Sequence, residues 1–379
     1  MEQTHLKYKD RVNLGSYYTK PQLVSLVYAL LRKNISNFKN HVLIDTSCGY
    51  GSFFYEKDLP LKKIGADIDS IAIKKASAEN ADVSFFLQNS LLDVSRDQYK
   101  LSTEDKVIIV GNPPYNDTTS IIRKALKQDI ESIDSDLKTR DLGISFLLSY
   151  NKLNADYVCV LHPLSYLIKR ANFSLLWPFA KRYKLLDAVV ISSDEFSETS
   201  KTTAFPIVIA LYARNENGMN YHFIENYNFK TKEGKSFKLS SFDSIARYLS
   251  KYPNQKCVNS RDAVAKFWTM RDINALKRSR TFIQEITTNT VFVTKQKLDY
   301  YCYVDIFKKY IQHVPYYFGN CDVMIDNEAF SKIKNAFRCL SLRQHPQIKA
   351  DVPEKADPRV YHKDVDAYFR YLLGEHYVH

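Results

Sequence analysis

Residues 112–115 read Asn-Pro-Pro-Tyr and follow an apolar run at residues 107–110. The two prolines hold their own φ angles at about −65° and keep the residues before them extended, so the loop is stiff. Asn112 and Tyr115 therefore project in defined directions. The side-chain oxygen of Asn112 and the carbonyl oxygen of Pro113 can both accept hydrogen bonds from one planar NH₂ group, and Tyr115 offers that group a flat face for stacking.

A planar amine is a poor nucleophile because its lone pair is delocalised into the ring or carbonyl that carries it. Two acceptors in a tetrahedral arrangement would draw the nitrogen toward sp³ geometry and release the lone pair. A sulfonium methyl group held opposite would complete an in-line transfer, with catalysis mostly by positioning and desolvation. The alternative is a structural turn with two prolines and a buried tyrosine. The motifs at the other strand ends distinguish a catalytic loop from such a turn.

A glycine loop follows an earlier apolar run, in the stretch VLIDTSCGYGSFF at residues 42–54. Asp45 closes the run, and Gly49 and Gly51 would let the backbone approach a ligand. Asp67 follows about 20 residues later, a spacing at which a carboxylate accepts hydrogen bonds from ribose hydroxyls. Because no GxxxxGK[ST] motif for a triphosphate occurs, these residues predict an adenosine-containing cofactor.

The elements that position these loops alternate along the first half of the chain. Short runs rich in Val, Ile and Phe predict strands, and helical patterns lie between them. The alternation predicts an α/β fold with right-handed βαβ units and a mostly parallel sheet, with the last two strands antiparallel at one edge. Asn89, at the third strand end, either accepts from an adenine amine or caps a turn. The predicted strands are residues 41–45, 62–67, 83–88, 106–111, 155–161, 184–192 and 203–213, and the predicted helices are 70–80, a polar stretch after Tyr115, and 141–153.

These motifs resemble S-adenosylmethionine-dependent N6-adenine DNA methyltransferases of the gamma class, the type II restriction-modification methylases with an NPPY motif. The resemblance spans roughly residues 14–213. It implies a Rossmann-like methyltransferase fold, a mostly parallel twisted sheet with helices on both faces, and S-adenosyl-L-methionine as the cofactor. LGSYYTKP (14–21) is similar to the family's N-terminal motif, DTSCGYGSF (45–53) to its cofactor loop, and NPPY matches in full.

The resemblance assigns catalytic roles to the NPPY loop. Asn112, Pro113 and Tyr115 would hold an adenine that is flipped out of the duplex. The family often places a second aromatic ring on the other face of the base, from a late loop. Phe196 is the preferred candidate and Phe205 the alternative, and both could instead be core residues.

The resemblance also assigns the cofactor site. The family usually has an acid followed by an aromatic residue at the third strand end, where this chain has Asn89 and Ser90, so cofactor adenine binding there is weakened or altered. The residues implied to contact the cofactor are Thr19, Asp45, Thr46, Ser47, Cys48, Gly49, Asp67, Ile68, Asn89 and Pro114.

The positive charge of the chain is concentrated in its second part. The chain carries 54 Lys+Arg against 42 Asp+Glu, and residues 214–379 hold 27 of these bases but only 18 of these acids. Such an excess is typical of a nucleic-acid footprint, although a solvated basic surface is the other interpretation. We therefore predict a catalytic domain at 1–213 and a mixed α/β target-recognition domain at 214–379. The candidate DNA contacts are Lys277, Arg278, Arg280, Lys295 and Lys297.

Two other substrate classes present a planar NH₂ group. Ribosomal RNA N6-adenine methyltransferases share the chemistry. Enzymes that methylate glutamine N5 in release factors also carry NPPY, but they usually have a helical domain before the catalytic fold and little after it. Here the long extension follows the fold, which favours a nucleic acid.

The resemblance implies double-stranded DNA as the partner and a restriction endonuclease acting on the same site, without a physical complex. We expect a monomer. The N-terminus lacks an apolar signal region and no run is long enough to span a membrane, which predicts a cytoplasmic location. The six cysteines show no CxxC or Cys/His spacing, so no metal site is expected.

Overall fold

The structure, a computed structural model, describes residues 19–60, 62–115, 133–196, 203–348, 350 and 358–379. The predicted polar helix after Tyr115 and most of the motif LGSYYTKP lie outside the described residues. The chain divides into two compact units, the first ending at Ser236 and the second running Phe237–His379. Both contain buried hydrophobic side chains, so each has a core of its own.

The first unit is built around one large sheet. Its helices are α1 (Pro21–Asn34), α2 (Ser70–Glu79), α3 (Leu142–Lys152), α4 (Ser165–Ile168), α5 (Arg170–Leu175), α6 (Trp177–Ala180) and α7 (Tyr221–Asn226). Its strands are β1 (Val42–Asp45), β2 (Lys63–Asp67), β3 (Ser84–Leu87), β4 (Val107–Gly111), β5 (Tyr157–Pro163), β6 (Tyr183–Ser192), β7 (Pro206–Arg214), β8 (Phe229–Thr231) and β9 (Ser236–Phe237).

The strand order is β3-β2-β1-β4-β5-β7-β6-β8-β9. The first five strands pair in parallel, whereas β7 lies between β5 and β6 and is antiparallel to both. This is the Rossmann-like methyltransferase arrangement, so the predicted fold class is confirmed. The antiparallel pair is also confirmed, but it does not lie at the edge, because β8 pairs with β6 and extends the sheet.

The sheet positions the candidate loops because of how its central strands are buried. Every residue of β1 and β4 is buried, as expected for parallel strands covered on both faces. Asp69 caps α2 after β2, since its side chain accepts from the N–H groups of Ile71 and Ala72. The carboxyl ends of parallel strands open at one edge, and that edge is where ligands bind in such folds.

Residues 214–236 belong to the first unit, although the sequence predicted a domain boundary after residue 213. The reason is β8, which pairs in parallel with β6 so that Val189 lies opposite Lys230. The turn-rich stretch RNENGMN (214–220) marks the end of β7 rather than the end of the unit.

The second unit has mixed α and β structure, as the sequence predicted. Tyr303 lies at its centre, fully buried, and its hydroxyl donates to the Met324 carbonyl at 2.6 Å. Helix α10 packs against both α9 and α11 in this core. The elements are β10 (Asp243–Ser244), β11 (Ala263–Trp268), α8 (Ile273–Arg278), β12 (Thr290–Thr294), α9 (Leu298–Tyr310), β13 (Met324–Ile325), α10 (Asn327–Leu342) and α11 (Pro358–Leu373).

Within the described ranges, no helix has the length and apolar character needed to span a bilayer. The same residues contain no cluster of three or more His, Cys, Asp or Glu able to hold a metal ion. All six cysteines are free thiols, and four of them are buried.

Candidate active site

A cavity of about 220 Å³ opens at the carboxyl ends of β1, β2, β3 and β4. Asn112 of the NPPY loop forms part of its wall. The structure also brings to this cavity all the residues that the resemblance assigned to the cofactor, which are Thr19, Asp45, Thr46, Ser47, Cys48, Gly49, Asp67, Ile68, Asn89 and Pro114.

Asp67 ties the glycine loop to the end of β2. The N–H of Gly49 donates to Oδ2 at 2.8 Å, and the N–H of Asp69 donates to Oδ1 at 3.0 Å. Gly49 has a φ of 53°, a left-handed conformation that glycine adopts without a Cβ penalty. Burial raises the pKa of Asp67, and the two N–H groups partly offset that rise. A carboxylate offers about four acceptor positions, so Asp67 can bind ligand hydroxyls while it holds the loop.

Asp45 ends β1 as a buried carboxyl that is 1% exposed. Burial raises the pKa of Asp45 to about 8, the negative charge of Asp67 adds to the rise, and a 3.1 Å hydrogen bond from the Ser47 N–H opposes it. Gly111 packs against the same carboxyl, because a Cβ there would come within 2.9 Å of Oδ1. This close approach explains why β4 ends in glycine immediately before the NPPY loop.

Ser47 also lines the cavity, and its hydroxyl is buried and has no hydrogen-bond partner among the described residues. A buried polar group left without a partner costs about 1–3 kcal/mol. Such an atom is therefore expected where a polar ligand completes the site.

Asn89 and Ser90 replace the acid and aromatic residue that the family usually has at the third strand end. Asn89 Oδ1 accepts from the Leu91 N–H at 3.0 Å, so the side-chain oxygen caps this turn, and its contact with the cofactor stays a prediction. The buried Ser90 hydroxyl donates to the Thr46 carbonyl at 2.7 Å. Ser90 thus ties this loop to the glycine loop, and Asn89 still lines the cavity.

Asn112 is oriented by Thr19. The amide Nδ2 of Asn112 donates to the Thr19 hydroxyl at 3.2 Å, and Thr19 is 4% exposed. The carbonyl oxygen of the same amide is consequently directed away from Thr19. Thr19 therefore contacts the catalytic candidate as well as the cavity.

Tyr115 is 8% exposed, and Pro113 is buried beside it, whereas Pro114 lines the cavity. The alternation of the loop thus separates Pro114, on the cavity side, from Pro113 and Tyr115. Asn112 lines the cavity together with Pro114, so the cofactor and substrate roles that the resemblance implies for the loop stay predictions.

Phe196 is 2% exposed and does not line the cavity. The half-buried Phe205 lies just before β7 and exchanges hydrogen bonds with Ser193, through its N–H to the Ser193 hydroxyl and its carbonyl from the Ser193 N–H. Residues 197–202 lie outside the described residues. The choice between Phe196 and Phe205 as the second stacking ring stays a prediction.

Leu142 and Phe146 line the cavity but were not predicted from the sequence. They lie four residues apart on α3, so they share one face of that helix. The sequence signal for this helix was its capping residue, Asp141. The Asp141 side chain accepts from the Gly143 N–H at 3.0 Å.

The structure separates the five predicted DNA contacts into two groups. Lys308, near the end of α9, donates to the Ser279 carbonyl, which places residues 277–280 at that end. Lys297 immediately precedes α9, eleven residues and therefore roughly 16 Å away from Lys308 along the helix. The pairing of β11 with β12 also separates the two groups. Trp268, whose ring lies under Arg280, pairs with the first residue of β12, whereas Lys295 follows the last residue of β12.

Each group includes an aromatic ring. The Arg280 guanidinium lies over Trp268 at 4.6 Å from the ring centre, and Lys297 Nζ lies 5.9 Å from the Tyr300 ring. Basic residues interleaved with aromatic rings are common on surfaces that bind nucleic acids. The described ion pairs of this unit use other bases, among them Arg247, Lys251 and Arg338.

No protein-family model matches this chain, and no curated protein matches it either. Among solved structures, the type I restriction-modification methyltransferase subunit of Streptococcus thermophilus is similar at 13% identity and a TM-score of 0.41, over 60% of this chain and 48% of that one. Magnesium protoporphyrin IX methyltransferase from Synechocystis is similar at 14% identity and a TM-score of 0.32, over 57% of this chain and 86% of that one. A 23S rRNA methyltransferase is similar at 10% identity and a TM-score of 0.31, over 54% of this chain and 71% of that one. Their substrates differ, and likenesses this distant carry no argument about chemistry.

Proposed function

We propose that this chain is a site-specific DNA methyltransferase that transfers a methyl group from S-adenosyl-L-methionine to N6 of an adenine flipped out of double-stranded DNA. It would act as a monomer in the cytoplasm, as the modification component of a restriction-modification system. The observation that carries the proposal is the orientation of Asn112. Its amide nitrogen donates to the Thr19 hydroxyl at 3.2 Å, which fixes the orientation of the side chain, and in the proposed reaction its carbonyl oxygen would accept from the substrate amine.

The cavity lining fits S-adenosyl-L-methionine. Asp67 has acceptor positions for ribose hydroxyls, and the side chain of Ile68, 59% exposed, can cover one face of an adenine ring. Asp45 and the partnerless hydroxyl of Ser47 provide acceptors for an ammonium group. When bound, the cofactor would supply a methyl group on a positively charged sulfur.

The NPPY loop would act on the substrate amine. Asn112 and the Pro113 carbonyl accept its two hydrogens and favour a tetrahedral nitrogen, while Tyr115 stacks on the base. No strong base is needed, because the proton becomes acidic only after the nitrogen is alkylated. The positive charge of residues 214–379 supports a polyanionic substrate.

The most direct test is to incubate the purified protein with unmethylated bulk DNA and labelled cofactor, and then to map the modified bases. We expect N6-methyladenine at one short recurring sequence. Label that enters ribosomal RNA or a release-factor glutamine but not DNA would replace the proposed substrate. Methylation of cytosine at C5, a ring carbon and not an amine, would contradict the role assigned to the NPPY loop.

Asp67→Ala should weaken cofactor binding by at least about tenfold, because hydrogen bonds to a charged group contribute about 1.5–3 kcal/mol each. Equilibrium titration with S-adenosylhomocysteine measures this. Asp82→Ala is the matched control, since it removes a carboxylate that pairs with Lys63 on the surface of the same unit. Equal affinities for the two variants would remove Asp67 from the site.

Replacing both Lys277 and Arg278 with glutamate should lower DNA affinity. It should also make the slope of log K against log salt concentration shallower by about two, roughly one for each lost phosphate contact. The control reverses Lys332 and Lys334 on α10, which changes the net charge by the same amount. Affinity measured at several salt concentrations distinguishes them. Identical slopes for both double variants would move the DNA surface away from α8.

A further inference from the structure

Tyr115 and Tyr166 meet at Gly143, in the first turn of α3. A Cβ on Gly143 would lie 2.5 Å from the Tyr166 hydroxyl, 3.1 Å from Cε2 of that ring and 3.2 Å from the Tyr115 Cβ. No side chain fits there unless one of the tyrosines moves. Both tyrosine side chains therefore pack against the α-carbon of Gly143.

Asp141 joins Tyr166 to the start of α3. Its Oδ1 accepts from the Gly143 N–H at 3.0 Å and also from the Tyr166 hydroxyl. The Thr139 hydroxyl donates to the Asp141 carbonyl at 2.7 Å and fixes the backbone before the helix. One carboxylate oxygen thus holds both the first turn of α3 and the Tyr166 ring.

His162 supports the other side of Tyr166. The two rings stack with centroids 5.2 Å apart at 9°, and His162 is fully buried. Its Nδ1 donates to the Pro163 carbonyl at 2.9 Å, because a carbonyl only accepts, and its Nε2 accepts from the Tyr212 hydroxyl at 2.8 Å. Burial lowers the pKa of His162 to about 4, so the ring is neutral near pH 7. Tyr166 is held both at its hydroxyl and along one face.

We infer that Asp141, Gly143 and Tyr166 form a positioning frame for Tyr115, and that this frame sets where the stacking face meets the substrate amine. The inference rests on the proposed function, which gives Tyr115 its stacking role. None of the three frame residues needs to touch the substrate. They act through Tyr115, whose displacement by a fraction of an ångström would misalign the amine with the methyl group.

The test compares Tyr166→Phe with Tyr183→Phe in single-turnover methyl transfer to bulk DNA. Tyr183 is the matched control, because it is fully buried in the same unit and its hydroxyl donates to the Ala155 carbonyl at 2.7 Å. We expect transfer by Tyr166→Phe to slow by about 10- to 100-fold, a loss typical of a small misplacement. Transfer by Tyr183→Phe should stay within about twofold of wild type, and both variants should keep wild-type affinity for S-adenosylhomocysteine.

Two substitutions of Asp141 separate positioning from folding. Asp141→Asn keeps an oxygen that can accept both hydrogen bonds and should restore most of the rate, whereas Asp141→Ala should be as slow as Tyr166→Phe. Equal rates for Tyr166→Phe and Tyr183→Phe would overturn the frame, as would a parallel loss of cofactor affinity.

The frame and the proposed function fail in different ways. A wild-type protein that methylates RNA or a protein glutamine but not DNA contradicts the proposed DNA substrate, and the same variants then test the frame on the accepted substrate. A wild-type protein that methylates none of the three would overturn both.

Discussion

Asn112→Ala is expected to slow methyl transfer by about 100- to 1,000-fold or more, the loss typical when one preorganised hydrogen-bonding group is removed from an active site. Without the Asn112 carbonyl oxygen, the substrate amine keeps only one of its two acceptors and stays planar, with its lone pair delocalised. Cofactor affinity should change little, because the acceptors for ribose and ammonium groups belong to Asp67, Asp45 and Ser47. Single-turnover transfer of labelled methyl to DNA measures the rate, and titration with S-adenosylhomocysteine measures the affinity.

Companion variants make this result specific. Tyr115→Ala should be similarly slow, and Tyr115→Phe, which keeps the ring, should retain much of the rate. Asn151→Ala is the control for an asparagine exchange, since the side-chain amide of Asn151, on α3, donates to the Pro178 carbonyl at 3.2 Å. Undiminished transfer by Asn112→Ala or by Tyr115→Ala would contradict the proposed activation of the amine.

The first unit was predictable from sequence because its chemistry lies at strand ends. A parallel sheet places the carboxyl ends of its strands at one edge, so Asp45, Asp67 and Asn112 had to converge once the strands were recognised. The seven predicted strands all occur, with small differences at their ends. What could not be predicted were β8 and β9, because runs of three and two residues carry no periodicity.

Contacts between side chains from distant elements were also beyond the sequence. Asn89 could accept from an adenine or cap a turn, and only the structure shows that its oxygen accepts from the Leu91 N–H. Likewise, Gly143 reads as an ordinary helix residue until Tyr166, from the element after β5, is seen against it. The five basic residues of the second unit come from two stretches of the sequence, and only the structure shows that the length of α9 lies between them.

Asp45 should make the protein less stable as the pH rises from about 4 to about 8. Its pKa is 3.8 in an ordinary setting and about 8 in the fold, chiefly because burial disfavours the charge. Between these values the folded protein keeps a proton that the unfolded chain has lost, so the free energy of unfolding falls as pH rises. The penalty is about 6 kcal/mol once the pH exceeds the folded pKa, since the two pKa values differ by about four, at about 1.4 kcal/mol per pKa unit.

Asp45→Asn cannot ionise and should therefore be more stable than wild type at pH 9 and nearly equal to it below about pH 4, where the carboxyl is protonated in both the folded and the unfolded chain. Thermal or denaturant unfolding at a series of pH values measures the difference. His162 acts in the opposite sense, since its lowered pKa costs stability as the pH falls from about 6.5 toward 4. Because His162 is present in both proteins, the comparison cancels its contribution. Asp58→Asn, an exchange at an exposed carboxyl, should follow the wild-type profile.

The same carboxyl should couple cofactor binding to proton release. The ammonium group and the positively charged sulfur of S-adenosyl-L-methionine both favour the ionised form of Asp45, so binding of this cofactor near pH 7 should expel a proton. S-adenosylhomocysteine, which keeps the ammonium group but has a neutral sulfur, should expel fewer. Calorimetric titration in two buffers of different ionisation enthalpy counts these protons. Asp45→Asn should bind both ligands more weakly and release no proton from this position, whereas equal release by wild type and variant would place the charge elsewhere.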